Sequence, residues 1–303
     1  MAQAYDAVIA TIVVASDATS VKKAMVKSTT WREGTSGEWK STSCTLEAGK
    51  TYQFRTPNSG SGSGITAVLP NIKASVTVGW DTSGSVVTSV GNYFLAYYAR
   101  GCSSLTSLSV PDTSGLTTVG DYFMYSYADS CSGLTSLSVP DTSGLTTVGS
   151  SFMSYYAYGC SGLTSLSVPD TSGLTTVGTS FMRYYAYNCT SLTSLSAPDT
   201  SGLTTVGSSF MSSYADSCSS LTSLILKGDT GWFSSHNISW SVPSSRLNYL
   251  YAYCDSAYLT NWQGLTASGK TLYLNYIQSS SYVKALVTPI IGEKYPLPPF
   301  RRS

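Results

Sequence analysis

Charge is what this chain has least of. Only 11% of its 303 residues are charged, and the 17 basic residues nearly balance the 16 acidic ones. A protein that grips a nucleic-acid backbone needs many clustered cations, so nucleic acid is not an expected partner. Histidine is scarcer still, with His236 alone. One histidine supplies no base for an obvious hydroxyl nucleophile and no His pair for zinc, and the cysteines form no Cys-x-x-Cys pair. The run Ser59 to Gly64 lacks the Lys-Ser/Thr pair of a phosphate-cradling loop. A non-enzymatic chain without cofactor or metal is expected. No stretch reaches the roughly 18 apolar residues of a membrane helix, so membrane insertion is not expected either. The best apolar run, Ala7 to Ala15, has no basic segment before it and is rich in β-branched residues. It reads as a strand rather than a secretory signal.

What the chain has is repetition. Asp112 to Pro140 reads DTSGLTTVGDYFMYSYADSCSGLTSLSVP, and near-copies start at Asp141, Asp170 and Asp199. Asp81 to Pro111 is a fifth copy, two residues longer. A fixed period of 29 residues means stacked units that bury their apolar faces only against their neighbours. Cys102, Cys131, Cys160, Cys189 and Cys218 mark the beat. Seven cysteines cannot all pair within one chain, and a column of small buried thiols is the simplest reading of these five.

Within a unit, Leu105 to Val110 and its copies read as a strand. Pro111 to Gly115 reads as a turn, with Asp capping backbone amides. The segment Leu116 to Gly120 turns back. Phe123, Met124, Tyr127, Ala128 and Cys131 then fall at i, i+1, i+4, i+5 and i+8, which predicts a helix of two or three turns. The expected fold class is α/β: a solenoid of short strand, turn and short helix, with a small mainly-β N-terminal module and a degenerate C-terminal cap. Residues 1–64 form the β-rich module or cap, ending in a Gly/Ser linker. In it 7–16, 38–49 and 50–56 read as strands, with a turn at Glu47 to Lys50. Residues 65–265 form the solenoid, its last part (Leu247 to Leu265) a degenerate repeat, with Trp232, Trp240 and Trp262 suited to cover the open end. Residues 266–303 hold a closing strand and a proline-rich tail.

The fixed positions Leu116, Val119, Gly120, Phe123, Cys131, Leu134, Leu137 and Pro140 recur in each copy. They resemble the BspA-like class of leucine-rich repeats over residues 81 to 226, with a unit longer than that class usually has. The resemblance implies an adhesin-like or host-contact role on a microbe or its virus, and brings no catalytic residue. It also implies an extracellular, cell-surface or virion setting, although no signal peptide is recognised.

A few columns break the repetition. One reads Asn92, Asp121, Ser150, Thr179, Ser208; a second Ala96, Tyr125, Ser154, Arg183, Ser212; a third Tyr97, Ser126, Tyr155, Tyr184, Ser213; a fourth Arg100, Asp129, Tyr158, Tyr187, Asp216. Lying between the apolar positions, they are expected to face solvent. Their Tyr, Ser, Asp, Asn and Arg alphabet is that of antibody-like paratopes. Two readings stay open: drift at unconstrained positions, or a contact face built from Tyr97, Arg100, Tyr125, Asp129, Tyr155, Tyr158, Arg183, Tyr184, Tyr187 and Asp216. On the second reading the partner is a protein or glycan on a cell surface. The alternative is a structural subunit of a filament, sheath or phage virion that self-assembles or docks through its terminal segments. Two weaker readings attach to other columns. Thr106, Thr135, Thr164, Thr193 and Thr222 form a hydroxyl ladder of the kind found on ice-binding solenoids. Asp112, Asp141, Asp170 and Asp199 stack at the turn, where a calcium ion would relieve like-charge repulsion.

Overall fold

The computed structural model describes residues 7–19, 21–23, 29–57, 64–69, 71–80, 86–200, 202–221, 223–227, 249–254, 266–267, 270–279 and 282–289. Trp232, Trp240, Trp262, His236, most of the Gly/Ser run and the proline-rich tail lie outside these residues.

The N-terminal part is β-structure. β1 (Ala7–Val14), β2 (Val21–Lys23), β3 (Thr30–Glu33), β4 (Cys44–Leu46), β5 (Thr51–Pro57) and β6 (Ala74–Trp80) follow one another, with a single 3-10 turn at Ile65–Ala67. β5 pairs antiparallel with β1 and β3, and β4 with β2. Glu47 to Lys50 makes the expected turn: the Lys50 N–H donates to the Glu47 carbonyl, and Gly49 takes φ 75°. The sequence reading missed β2, β3 and β6. β6 is the splice into the repeats, since it pairs antiparallel with β1 on one side and parallel with the first repeat strand on the other.

Each repeat contributes two short strands. One column holds β7 (Ser89–Val90), β9 (Thr118–Val119), β11 (Thr147–Val148), β13 (Thr176–Val177) and β15 (Thr205–Val206). The other holds β8 (Leu105–Leu108), β10 (Ser136–Leu137), β12 (Ser165–Leu166), β14 (Ser194–Ser196) and β16 (Ser223–Lys227). Pairings are parallel and in register, as at Thr147 with Thr176 and Ser165 with Ser194. β17 (Tyr249–Cys254) continues the second column in parallel, where the degenerate repeat was expected. β18 (Thr266–Ala267), β19 (Lys270–Ser279) and β20 (Tyr282–Pro289) then pair antiparallel beyond it. The result is a β-solenoid.

The expected short helix does not form; no α-helix occurs among the described residues. In its place the chain alternates right- and left-handed residues. Tyr122, Met124, Ser126 and Ser130 take φ of 59°, 48°, 51° and 63°, and the other units repeat this. The segment closes i to i+3 turns, Tyr125 N–H to Tyr122 C=O at 3.2 Å and Cys131 N–H to Ala128 C=O at 3.1 Å. Its remaining amides point along the stack. Tyr122, Ser126, Ala128 and Ser130 donate to the carbonyls of Ser150, Ser154, Tyr156 and Tyr158 in the next rung at 2.7–2.9 Å. Each left-handed non-glycine residue costs about 1–2 kcal/mol. The geometry holds because nearly every backbone group finds a partner one rung away and the same residues fill the core.

That core is laminated. Phe123, Met124, Tyr127, Ala128 and Cys131, the residues assigned to the helix face, are all fully buried, as are their copies in the next three units. Phe94, Phe123, Phe152, Phe181 and Phe210 stack at 5.3–5.6 Å, and Trp80 caps the row at 5.3 Å. A second row, Tyr98, Tyr127, Tyr156, Tyr185 and Tyr214, stacks at 5.2–5.5 Å. A buried phenol needs a partner, and those of Tyr127, Tyr156, Tyr185 and Tyr214 find one across the core. Tyr185 Oη donates to Ser167 C=O at 2.8 Å and Tyr214 Oη to Ser196 C=O at 2.9 Å, and Tyr156 does the same to Ser138. The thiols of Cys131, Cys160, Cys189 and Cys218 donate to the Ala99, Ala128, Ala157 and Ala186 carbonyls at 2.9–3.1 Å. The Cys column is therefore buried core.

The strand face and the turn also explain themselves without ligand. Thr135 Oγ1 donates to the Thr106 carbonyl at 3.1 Å, so this hydroxyl is spent on the neighbouring rung. Asp112 Oδ1 accepts from Ser114 N–H at 3.0 Å and Ser114 Oγ at 2.7 Å, and Asp141 and Asp170 do likewise in their units. The Ser114 hydroxyl, then its amide, holds the Asp112 carboxyl below its usual range.

Candidate functional site

The left-handed segments stack into one long side of the solenoid, and the irregular columns lie there. Their side chains do not stand apart in solvent, as the sequence reading expected. They pack on one another. In the first three rungs of columns two and three, one position is large and its neighbour small: Ala96 beside Tyr97, Tyr125 beside Ser126, Ser154 beside Tyr155. The large residues zigzag along the stack, with Tyr97 to Tyr125 at 5.2 Å, Tyr125 to Tyr155 at 5.4 Å and Tyr155 to Tyr184 at 4.8 Å. The small partners Ser126 and Ser154 are buried beneath them. Size alternation gives the variability a packing reason in these three rungs; in the next two Arg183 and Tyr184 are both large and Ser212 and Ser213 both small.

The fourth column joins the same cluster. Tyr158 stacks on Tyr187 at 4.9 Å with planes 6° apart, and touches Tyr155 at 5.5 Å. Tyr184 meets Tyr187 edge-on at 5.3 Å. At the other end Tyr93 stacks on Tyr122 at 4.6 Å, and Tyr122 meets Tyr125 edge-on at 5.7 Å. The sequence reading omitted Tyr93 and Tyr122. Their column reads Tyr93, Tyr122, Ser151, Ser180, Ser209, a Tyr-to-Ser change as legible as the variation in the columns that were chosen. Eight tyrosines thus form one continuous ridge over four rungs, most of them half-buried, with Tyr93 exposed.

Two arginines and two aspartates punctuate the ridge. Arg100 is exposed and its Nε sits 3.0 Å from Asp129 Oδ2. Asp129 does not face solvent as expected: it is 6% exposed, held by Arg100 and by the Ser130 hydroxyl at 2.7 Å. A carboxylate at that depth needs both partners. Arg183 lies with its guanidinium carbon 4.8 Å from the Tyr184 ring centre. Asp216 stands one rung beyond Tyr187 and accepts weakly from Ser217 Oγ at 3.4 Å. The first irregular column belongs to the scaffold instead. Asn92 Oδ1 accepts from Asp121 N–H at 2.9 Å, and Asp121 Oδ1 accepts from Ser150 N–H at 2.7 Å. Its residues vary among side chains that can accept a hydrogen bond.

Three ridge phenols are held in the protonated form. Burial raises the Tyr125, Tyr155 and Tyr158 hydroxyls above their usual range, and at Tyr155 the nearby Arg183 charge pulls the other way. Neutral phenols are donors, acceptors and flat apolar faces, suited to contact rather than nucleophilic attack. Among the described residues no group of three or more His, Cys, Asp or Glu side chains is placed to hold a metal ion.

Stacked in-register units with a Leu/Val/Phe/Cys core define a repeat solenoid. The chain belongs to the BspA-type leucine-rich repeat family: the description "BspA type Leucine rich repeat region (6 copies)" matches residues 85–227 and 126–261, together more than half of the chain. No curated protein and no solved structure matches it. No helix among the described residues is long and apolar enough to cross a membrane.

Proposed function

We propose that this chain is a non-enzymatic, surface-displayed binding protein whose tyrosine ridge contacts a protein or glycan on a cell surface. The observation that carries the reading is the continuous ridge. Eight tyrosines hold each other at 4.6–6.3 Å on a scaffold whose every rung is fixed by backbone hydrogen bonds. Pre-stacked aromatic rings offer large contact area with little side-chain entropy left to lose on binding. Family membership supports the same reading, because leucine-rich repeats are in general interaction scaffolds and the BspA type is typically surface-associated.

The test is a six-fold variant, with Tyr125, Tyr155, Tyr158, Arg183, Tyr184 and Tyr187 all changed to Ser, compared with the parent chain for binding to a panel of cells. Loss of binding with retained circular dichroism supports the ridge. Retained binding refutes it. Light scattering on the parent separates the alternative: a monodisperse species fits a binder, and spontaneous polymers fit a filament, sheath or virion subunit.

A further inference from the structure

Charge along the ridge is unevenly settled. Arg100 is neutralised by Asp129 at 3.0 Å. Arg183 is not: no ion pair among the described residues includes it. Its Nε is buried without an acceptor, and its Nη2 reaches only the Tyr184 hydroxyl at 3.4 Å. A half-buried guanidinium on an aromatic ring with no ion-pair partner is costly unless an anion reaches its outer Nη groups, since Nε itself lies too deep for a ligand. Around it stand Tyr155 and Tyr184, with Tyr158 and Tyr187 beyond, spaced at 4.8–5.5 Å.

We propose that Arg183 and these four tyrosines form a subsite for a pyranose that carries a single carboxylate, so that the ridge recognises acidic glycans. The proposal rests on the ridge being the binding face and names its ligand chemistry. A planar guanidinium pairs two N–H groups with a carboxylate. Flat phenol rings pack against the apolar face of a sugar ring, and their hydroxyls exchange hydrogen bonds with its hydroxyls. Asp216 lies in the rung beyond. Its carboxylate disfavours a polyanionic strand or an acidic peptide and leaves room for one negative charge among neutral groups.

The experiment titrates the full chain with four probes: a sialic-acid-terminated trisaccharide, a glucuronic-acid-terminated disaccharide, neutral lactose and a hexaglutamate peptide. The expected result is saturable binding of one or both acidic sugars, at least tenfold weaker binding of lactose, and none of the peptide. Which acidic sugar binds distinguishes the source of the carboxylate. Arg183→Gln should remove the preference for acid over lactose, and Arg183→Lys should restore only part of it, since the ammonium cannot pair two N–H groups side by side. Unchanged melting temperatures keep the comparison free of misfolding. Equal binding of lactose, preference for the peptide, no binding of any probe, or an acid preference that survives Arg183→Gln would each overturn the subsite. If cell binding survives Arg183→Gln but not the six-fold variant, the ridge stands and the acid subsite falls. If it survives both, the ridge reading itself falls.

Discussion

Raising the pH should unfold this protein well before its ordinary surface groups demand it. Burial raises the thiols of Cys131, Cys160 and Cys189 far above the usual range and pushes Cys218 up to about 12. In the unfolded chain a cysteine ionises near pH 8.5. Above that value the unfolded state sheds protons that the folded state must keep, so stability falls as pH rises. The contribution is intact below about pH 8.5 and drains away between there and the folded values. Each pH unit costs about 1.4 kcal/mol per thiol, so at pH 10 the loss is about 2 kcal/mol per rung. Four rungs unfolding together would lose about 8 kcal/mol, comparable with the 5–15 kcal/mol that holds an ordinary domain together. Repeat arrays also unfold in part, so the per-rung figure is the local one. The buried phenols of Tyr127, Tyr156, Tyr185 and Tyr214 are raised by the same burial and add to the loss from about pH 10 upward. Urea titrations followed by circular dichroism at pH 7, 8, 9 and 10 measure this directly. The midpoint should hold to pH 8 and then drop steeply, and a variant with all four cysteines changed to Ala should show a shallower drop. A midpoint that does not move between pH 7 and 10 would refute the buried thiol column.

Three other outcomes follow from the same structure. Far-UV circular dichroism should lack the signature of i to i−4 bonded α-helix; a pronounced helical signal would restore the helix. Tyr156→Phe removes the phenol that donates to the Ser138 carbonyl, a half-buried hydrogen bond. Its loss costs about 0.5–1.5 kcal/mol, read as a lower urea midpoint, and no shift would mean water replaces the phenol at that carbonyl. Gly178→Ala puts a methyl 2.5 Å from the Gly149 carbonyl carbon and 2.7 Å from the Ser150 nitrogen of the preceding rung. Because those contacts are backbone, a loss of about 3 kcal/mol or more is expected, and an unchanged melting temperature would mean the rungs lie farther apart.

The sequence revealed the stack, its register and its core, but not the backbone that makes it. Phe123, Met124, Tyr127, Ala128 and Cys131 were identified as inward-facing and are buried. Their spacing suits a 3.6-residue helix and a row of four-residue turns equally well over so short a segment, and the second won. The deciding signal was in one column: Gly101, Ser130, Gly159, Asn188 and Ser217 all take φ near 60–75°. Gly and Asn sharing a column is the mark of a left-handed residue, and a helix would not ask for it. Candidate ridge residues were legible one column at a time, because each departs from the repeat with Tyr, Arg or Asp. Their mutual packing was not, because Tyr125 touches Tyr97 and Tyr155 in a different column. Diagonal contacts between rungs depend on how the chain tilts across the stack, which no single column records. The pairing of Arg100 with Asp129 was legible, since the two sit one rung apart in the same column, but the depth at which Asp129 is held was not.

The most direct measurement is a tyrosine footprint of the chain bound to its target cells. Tetranitromethane nitrates accessible phenols, and mass spectrometry locates them. With the chain free, Tyr155, Tyr158, Tyr184 and Tyr187 should react while the buried Tyr127, Tyr156 and Tyr185 do not. With the chain bound, those four ridge tyrosines should be protected and the buried row should stay silent. Ridge tyrosines nitrated equally in the bound and free chain would contradict the account.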